Sequence, residues 1–184
     1  MEKYLSSSYK LELDLSFTPF PVQDLETIVD GETLELIKNS SQWNKDITRW
    51  IRFIQLNKEC NCPDIVRDAS QISLGLELTN DKKILDLNHT WLGKLKSTDV
   101  LSFPMIDETS FGLSNECIEL GDIVISVPTA IRQAKENNVD LLRELRWLAS
   151  HGLLHLLGWD HLEEDSLRQM LLTQEQLLDL RVIL

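Results

Sequence analysis

Three of the four histidines in this 184-residue chain fall within eleven positions, in the string His151-Gly-Leu-Leu-His155-Leu-Leu-Gly158-Trp-Asp160-His161. A neutral imidazole nitrogen is a common metal ligand. His151 and His155 are four residues apart, so a helix places both on one face, one turn apart. Gly158 can end that helix, because glycine takes the left-handed geometry that a helix stop often needs. The turn then carries His161 back toward the other two. Three imidazoles suit Zn²⁺ and leave a fourth position open, the mark of a catalytic rather than a structural site. The spacing predicts one divalent ion per chain, zinc or a similar metal, held by His151, His155 and His161. His89 lies far away on another predicted helix and is given no metal role.

The same spacing matches the long metzincin pattern H-E-x-x-H-x-x-G-x-x-H, except that the second position is Gly152. In those proteases the glutamate is the general base for the attacking water. Without it, peptide hydrolysis needs a base from elsewhere, such as Glu163 or Glu164. Asp160 has two readings. It can orient an imidazole by accepting its second N–H, or it can cap the helix expected from Leu162 onward. A three-histidine ion can bring the pKa of its water down to about 7, which points to hydrolysis.

The elements that must position these residues are legible in the hydrophobic periodicity. Tyr9 to Phe17 and Gln71 to Leu78 alternate as half-buried strands. Asp99 to Phe103 reads as a short buried strand stopped by Pro104, and Gly121 to Val127 as a strand closed by Pro128. Helices are expected weakly over 23–38 with a break near Asp30-Gly31, then over Lys45–Leu56, Lys82–Trp91, Thr129–Asn137, Asp140–Leu157 and Leu162–Leu180. Thr79-Asn80-Asp81 caps the helix after the second strand. Asn57–Asp64 and Glu108–Glu119 read as loops. Together these predict one α/β domain over residues 1–184, α+β-like in character, with a small mixed sheet of about four strands packed with helices.

Bulk properties narrow the function. The formal net charge is −12, which opposes an extended nucleic-acid surface. Any such role must rest on a local basic patch or on bound metal. Cys60, Cys62 and Cys117 are an odd set with poor disulfide spacing, which fits a reducing compartment. Cys60 and Cys62 are read as loop residues, having no close third ligand. The N-terminus does not read as a signal peptide, and the apolar-rich run Trp147–Trp159 is too short to span a membrane. A cytoplasmic protein with no membrane partner is expected.

The histidine string resembles the signature of the YbeY family, bacterial metal-dependent endoribonucleases of ribosomal RNA maturation. Ser97-Thr98-Asp99-Val100-Leu101-Ser102-Phe103-Pro104 looks like that family's Thr-Asp-Val-Leu-Ser-Phe-Pro strand. Leu120-Gly121-Asp122-Ile123-Val124-Ile125-Ser126 looks like its Gly-Asp-Ile strand, and Asn88 also fits. The resemblance runs from about Ile72 to Leu180; the first seventy residues match only in outline. It implies zinc or a similar ion on the three histidines and a metal helix near a mixed sheet. It also implies single-stranded RNA as substrate, chiefly the 3′ end of 16S ribosomal RNA on the small ribosomal subunit, with no DNA partner. RNA allows two routes, attack at phosphorus leaving a 5′-phosphate or attack by the 2′-hydroxyl giving a cyclic phosphate, and the residues do not choose. Ser102 and Asp122 match family positions and are read as supports for strands and loops. The family usually has an arginine where this chain has Leu92. Lys94 and Lys96, on the loop just after, are possible phosphate contacts in its place, or else ordinary solvated lysines. Two rivals to the nuclease are a metal hydrolase of peptides or small molecules and a non-catalytic ribosome assembly factor with a structural metal.

Overall fold

The computed structural model describes residues 11–21, 23, 25, 29–106, 117–161 and 163–180. Among them, four strands and seven helices follow in chain order: β1 (Glu12–Thr18), α1 (Gly31–Lys38), α2 (Ser40–Leu56), α3 (Asp64–Arg67), β2 (Gln71–Thr79), α4 (Asp81–Leu92), β3 (Val100–Pro104), β4 (Ile118–Ser126), α5 (Val127–Glu136), α6 (Leu141–Leu156) and α7 (Glu164–Asp179). The sheet order is β1-β2-β4-β3. β1, β2 and β4 run parallel, while β3 pairs antiparallel with β4. The mixed four-stranded α/β architecture expected from the periodicity is therefore present. Tyr9 and Lys10 of the first expected strand, most of the 108–119 loop, and Leu162 lie outside the described residues.

Several boundaries move for identifiable reasons. α2 begins at Ser40, five residues before the expected start, because the Asn39 side chain accepts the Ser41 N–H at 3.2 Å and caps it. Its first turns bury Trp43 on the same stripe as Ile47, Trp50, Ile51 and Ile54. The expected 57–64 loop ends in the short α3. β3 is an edge strand with only Leu101 fully buried, not a buried strand, and it includes Pro104 opposite Gly121. A strand edge tolerates proline because no ladder donor is needed there. Pro128 does not close a strand. It sits in the first turn of α5, where its missing N–H costs nothing.

α6 packs across β3 and β4 and against α5 and α7. One face of β4 supplies Ile123 and Ile125 to the main core with Leu145, Leu148, Ala149 and Leu153 of α6. Val124 turns the other way, into a smaller cluster with Ile84 and Leu101. α6 is also tied to α2 by a buried ion pair. Arg146 Nε donates to Asp46 Oδ2 at 2.8 Å, and both side chains are 1% exposed.

Gly152 lets α6 lie this close to the sheet. A Cβ built there would meet Ile123 Cγ2 at 2.7 Å and Ser102 Oγ at 3.1 Å. Ser102 Oγ donates to the Gly152 carbonyl at 3.2 Å, joining β3 to the helix. Ala for Gly in a free helix gains about 1 kcal/mol of propensity, whereas overpacking a tight core costs about 1–3 kcal/mol. Ile123 is fully buried and cannot swing aside, so Gly152→Ala is expected to lower stability. A denaturant midpoint equal to or above that of the parent would contradict this packing.

Candidate functional site

The histidine string folds as its spacing implies. α6 carries His151 and His155, and its cap residue Leu157 is followed by Gly158 at φ +83°. The Gly158 N–H donates to the His155 carbonyl and the Trp159 N–H to the Leu154 carbonyl, both at 3.0 Å, which is the paired bonding of a Schellman stop. The reversed chain brings His161 to ring-centroid distances of 5.7 Å from His151 and 5.3 Å from His155. One nitrogen from each of the three imidazoles falls within 4.8 Å of the others.

Hydrogen bonds fix which nitrogen each helical imidazole presents. Gln174 Nε2 donates to the Trp147 carbonyl at 3.2 Å, so its Oε1 must be the atom facing His151 Nδ1, also at 3.2 Å. His151 Nδ1 is then the protonated nitrogen. His155 Nδ1 lies 2.9 Å from the Trp159 carbonyl and is protonated for the same reason. Both Nε2 atoms are left with lone pairs, and they face each other at 3.0 Å. Two lone pairs at that distance repel unless a cation lies between them. Four-coordinate zinc with bonds of about 2.0–2.1 Å holds its nitrogens roughly 3.3 Å apart, so the donor set fits a metal ion with little adjustment. Burial pushes the pKa of both His151 and His155 below the ordinary histidine range, which keeps them neutral and able to ligate.

The turn is braced by a segment distant in the chain. Trp159 is buried and its Nε1 donates to the Asn61 carbonyl at 2.7 Å. Arg67 ties the same loop through the Cys60 carbonyl at 2.8 Å. Cys60 and Cys62 are buried there, and burial raises both thiols, Cys62 to about 11. They are protonated packing residues of a loop, in agreement with the reading of the sequence.

The remaining candidates separate. Asp160 does not cap the following helix; α7 starts after Glu163, whose N–H donates to Ser166 Oγ at 3.3 Å. The Asp160 carboxylate instead accepts the His161 N–H at 2.7 Å. Lys94 and Lys96 line a cavity of about 450 Å³ that none of the histidines line, bounded by α4, the loop 93–99 and α5. Leu92 also lines it and is 54% exposed, so it is not a core residue. His89 is exposed on α4, away from the cluster. Asp99 lines the same cavity, and its charge raises the pKa of His151 against the stronger effect of burial. Burial of Asp99 itself is outweighed by hydrogen bonds from Gln133, the Val100 N–H and Thr98, which hold its carboxyl below the ordinary range and ionised.

Gln174 and Asp99 were not singled out from the sequence as parts of the site. Gln174 did leave a signal: it lies on the apolar stripe of α7 formed by Met170, Thr173, Leu177 and Leu178, where a buried amide needs a partner.

The chain is 73% identical over 179 residues to endoribonuclease YbeY of Prochlorococcus marinus strain NATL2A, covering 97% of each. It is 48% identical over 180 residues to the protein of that description from strain MIT 9313, covering 98% of this chain and 96% of the relative. A solution structure from Thermotoga maritima shares the fold with a TM-score of 0.52 at 19% identity, over 89% of this chain and 86% of that one. The likeness thus takes in the N-terminal elements, whose residues resemble the family only in outline. Those elements carry packing rather than chemistry, so they leave no motif. With the family profile of endoribonuclease YbeY matching residues 31–181, histidine turn included, the chain belongs to the YbeY family.

Proposed function

We propose that this protein is a metal-dependent endoribonuclease that cuts single-stranded RNA in the maturation of the 16S ribosomal RNA 3′ end, working on the small ribosomal subunit in the cytoplasm. The observation that carries the reading is the pair of facing Nε2 lone pairs, with His161 beside them, in a chain of this family. His151, His155 and His161 are the ligands, and three nitrogen donors favour zinc. When bound, such an ion supplies Lewis acidity toward a phosphoryl oxygen and acidifies water at neutral pH.

The chain's own residues do the rest. Gln174 and the Trp159 carbonyl hold the two helical imidazoles in one tautomer and one orientation. Asp160 sets the backbone of His161. Lys94 and Lys96 place positive charge beside the cavity and meet backbone phosphates. Trp91, Leu92 and Leu95 are exposed alongside them, and an exposed ring next to lysines is a surface on which unpaired bases stack. Peptide hydrolysis is disfavoured, because position 152, where a metzincin carries its base, faces the sheet.

The test is incubation of zinc-loaded protein with a labelled unstructured RNA, the same strand in a perfect duplex, and casein. A site of this kind cannot read the deep major groove of A-form RNA, so cutting of the single strand is expected, with little on the duplex and none on casein. Equal cutting of strand and duplex, or of casein alone, would overturn the reading.

A further inference from the structure

The cavity between α4, the loop 93–99 and α5 has a chemistry that the metal centre does not use. Three oxygens there are buried without a hydrogen-bond partner among the described residues: Asn88 Oδ1, Ser97 Oγ and Gln133 Oε1. All three residues line the cavity. The two amides cannot be turned round to relieve this. Asn88 Nδ2 donates to the Lys96 carbonyl at 2.6 Å, and Gln133 Nε2 donates to Asp99 Oδ2 at 2.8 Å. Both partners only accept, so the nitrogens stay there and the oxygens are left over. Asn88 is 5% exposed, so bulk water gives its oxygen little relief. A buried oxygen without a donor is destabilising, and such groups in native structures call for a reason. Two amide oxygens and a hydroxyl around one cavity are thus left for a ligand to satisfy.

Size and walls narrow the ligand. About 450 Å³ is ample for one nucleobase. Leu92 and Leu101 supply apolar walls, and Lys94 and Lys96 bring positive charge for a phosphate. Leu101 lines the cavity, and the next residue, Ser102, bonds to the Gly152 carbonyl beside His151, so the cavity and the histidine helix share β3.

We propose that this cavity is a base-selecting subsite that takes one unpaired nucleobase carrying an exocyclic amino group and discriminates against uracil. The amino group brings the N–H donors that Asn88 Oδ1 and Gln133 Oε1 lack. The Ser97 hydroxyl adapts, donating to or accepting from the neighbouring ring atom. Uracil places a carbonyl oxygen on each side of its single N–H, so one oxygen would face another. Bases taken out of the stack are read in this way along their Watson–Crick edge. The subsite rests on the endoribonuclease reading for its role in RNA cleavage, but not for base binding itself.

The test is NMR titration of the full chain with cytidine and uridine 5′-monophosphates, equal in charge and nearly equal in size, carried to millimolar concentration. Cytidine monophosphate is expected to bind about tenfold tighter or more, as a well-paired base edge provides. Ser97→Ala, which removes only an unpartnered hydroxyl able to meet either base, should weaken both nucleotides alike, whereas Gln133→Met, which removes an acceptor that only an amino group satisfies, should bring the preference below about threefold. Equal affinity for the two nucleotides, no binding of either, or an undiminished preference in Gln133→Met would overturn the proposal. Cleavage of RNA is scored separately on the same protein. A cytidine preference without RNA cleavage upholds the subsite and sinks the nuclease reading; cleavage without a base preference does the reverse.

Discussion

His151→Ala, His155→Ala and His161→Ala are each expected to empty the metal site and to abolish RNA cleavage. The ligands have no spare: the described residues bring together only these three histidines as a metal-binding group. Losing one leaves two, too few for the coordination that zinc takes in catalytic sites. The buried Gln174 gives a graded control. Gln174→Leu keeps all three ligands but frees His151 Nδ1 from its partner, so the ring can flip or shift its proton. Changes of this outer kind cost about 10–100-fold in metal affinity, so Gln174→Leu should bind measurably but more weakly. Elemental analysis after mild dialysis, with a competing chelator for the affinities, separates the two levels. Full metal retention in two of the three histidine variants would end the assignment.

The second large effect lies away from the chemistry. Arg146 and Asp46 are buried together, and Arg146 Nη1 and Nη2 have no partner among the described residues. Asp46 Oδ1 is engaged by Gln42 Nε2 at 3.0 Å. Removing one member of such a pair strands a buried charge and costs about 3–5 kcal/mol, whereas replacing both with apolar groups of similar size is often neutral. Asp46→Ala should therefore lower the melting temperature by roughly 10 °C for a domain of this length. Asp46→Leu with Arg146→Met should recover most of that. A double variant as unstable as the single one would mean that the pair contributes through geometry rather than through charge compensation. Arg146 shares α6 with His151 and His155, so metal content should be measured beside stability to confirm that the helix stays in place.

How much of the fold and site is legible in the sequence follows from how local each signal is. The proposed ligand set is a single stretch of eleven residues, and one helical turn plus the Gly158 stop bring its members together. α4 and β2 are similar cases, each with a regular pattern and a clear cap at Asn80. The orientation of the ligands was hidden because its cause is distant. Gln174 is 23 residues from His151, and the Trp159 anchor Asn61 is 98 residues away. Arg146 and Asp46 are 100 residues apart, and either alone reads as a surface charge. The edge position of β3 was likewise invisible, since a short apolar run does not say how many neighbours it has.

Gly152 has a consequence for kinship between chemistries. Metzincin-type proteases and this protein share the spacing of three histidines around a glycine turn. They differ at one letter, which suggests that a single codon divides them. Here that position lies against Ile123 and Ser102, with no room even for a methyl group. A glutamate would point into the sheet rather than toward a water molecule. No path of single substitutions at this position leads from one activity to the other without first lifting a helix off two strands. The shared spacing therefore does not make the two chemistries interchangeable by one substitution.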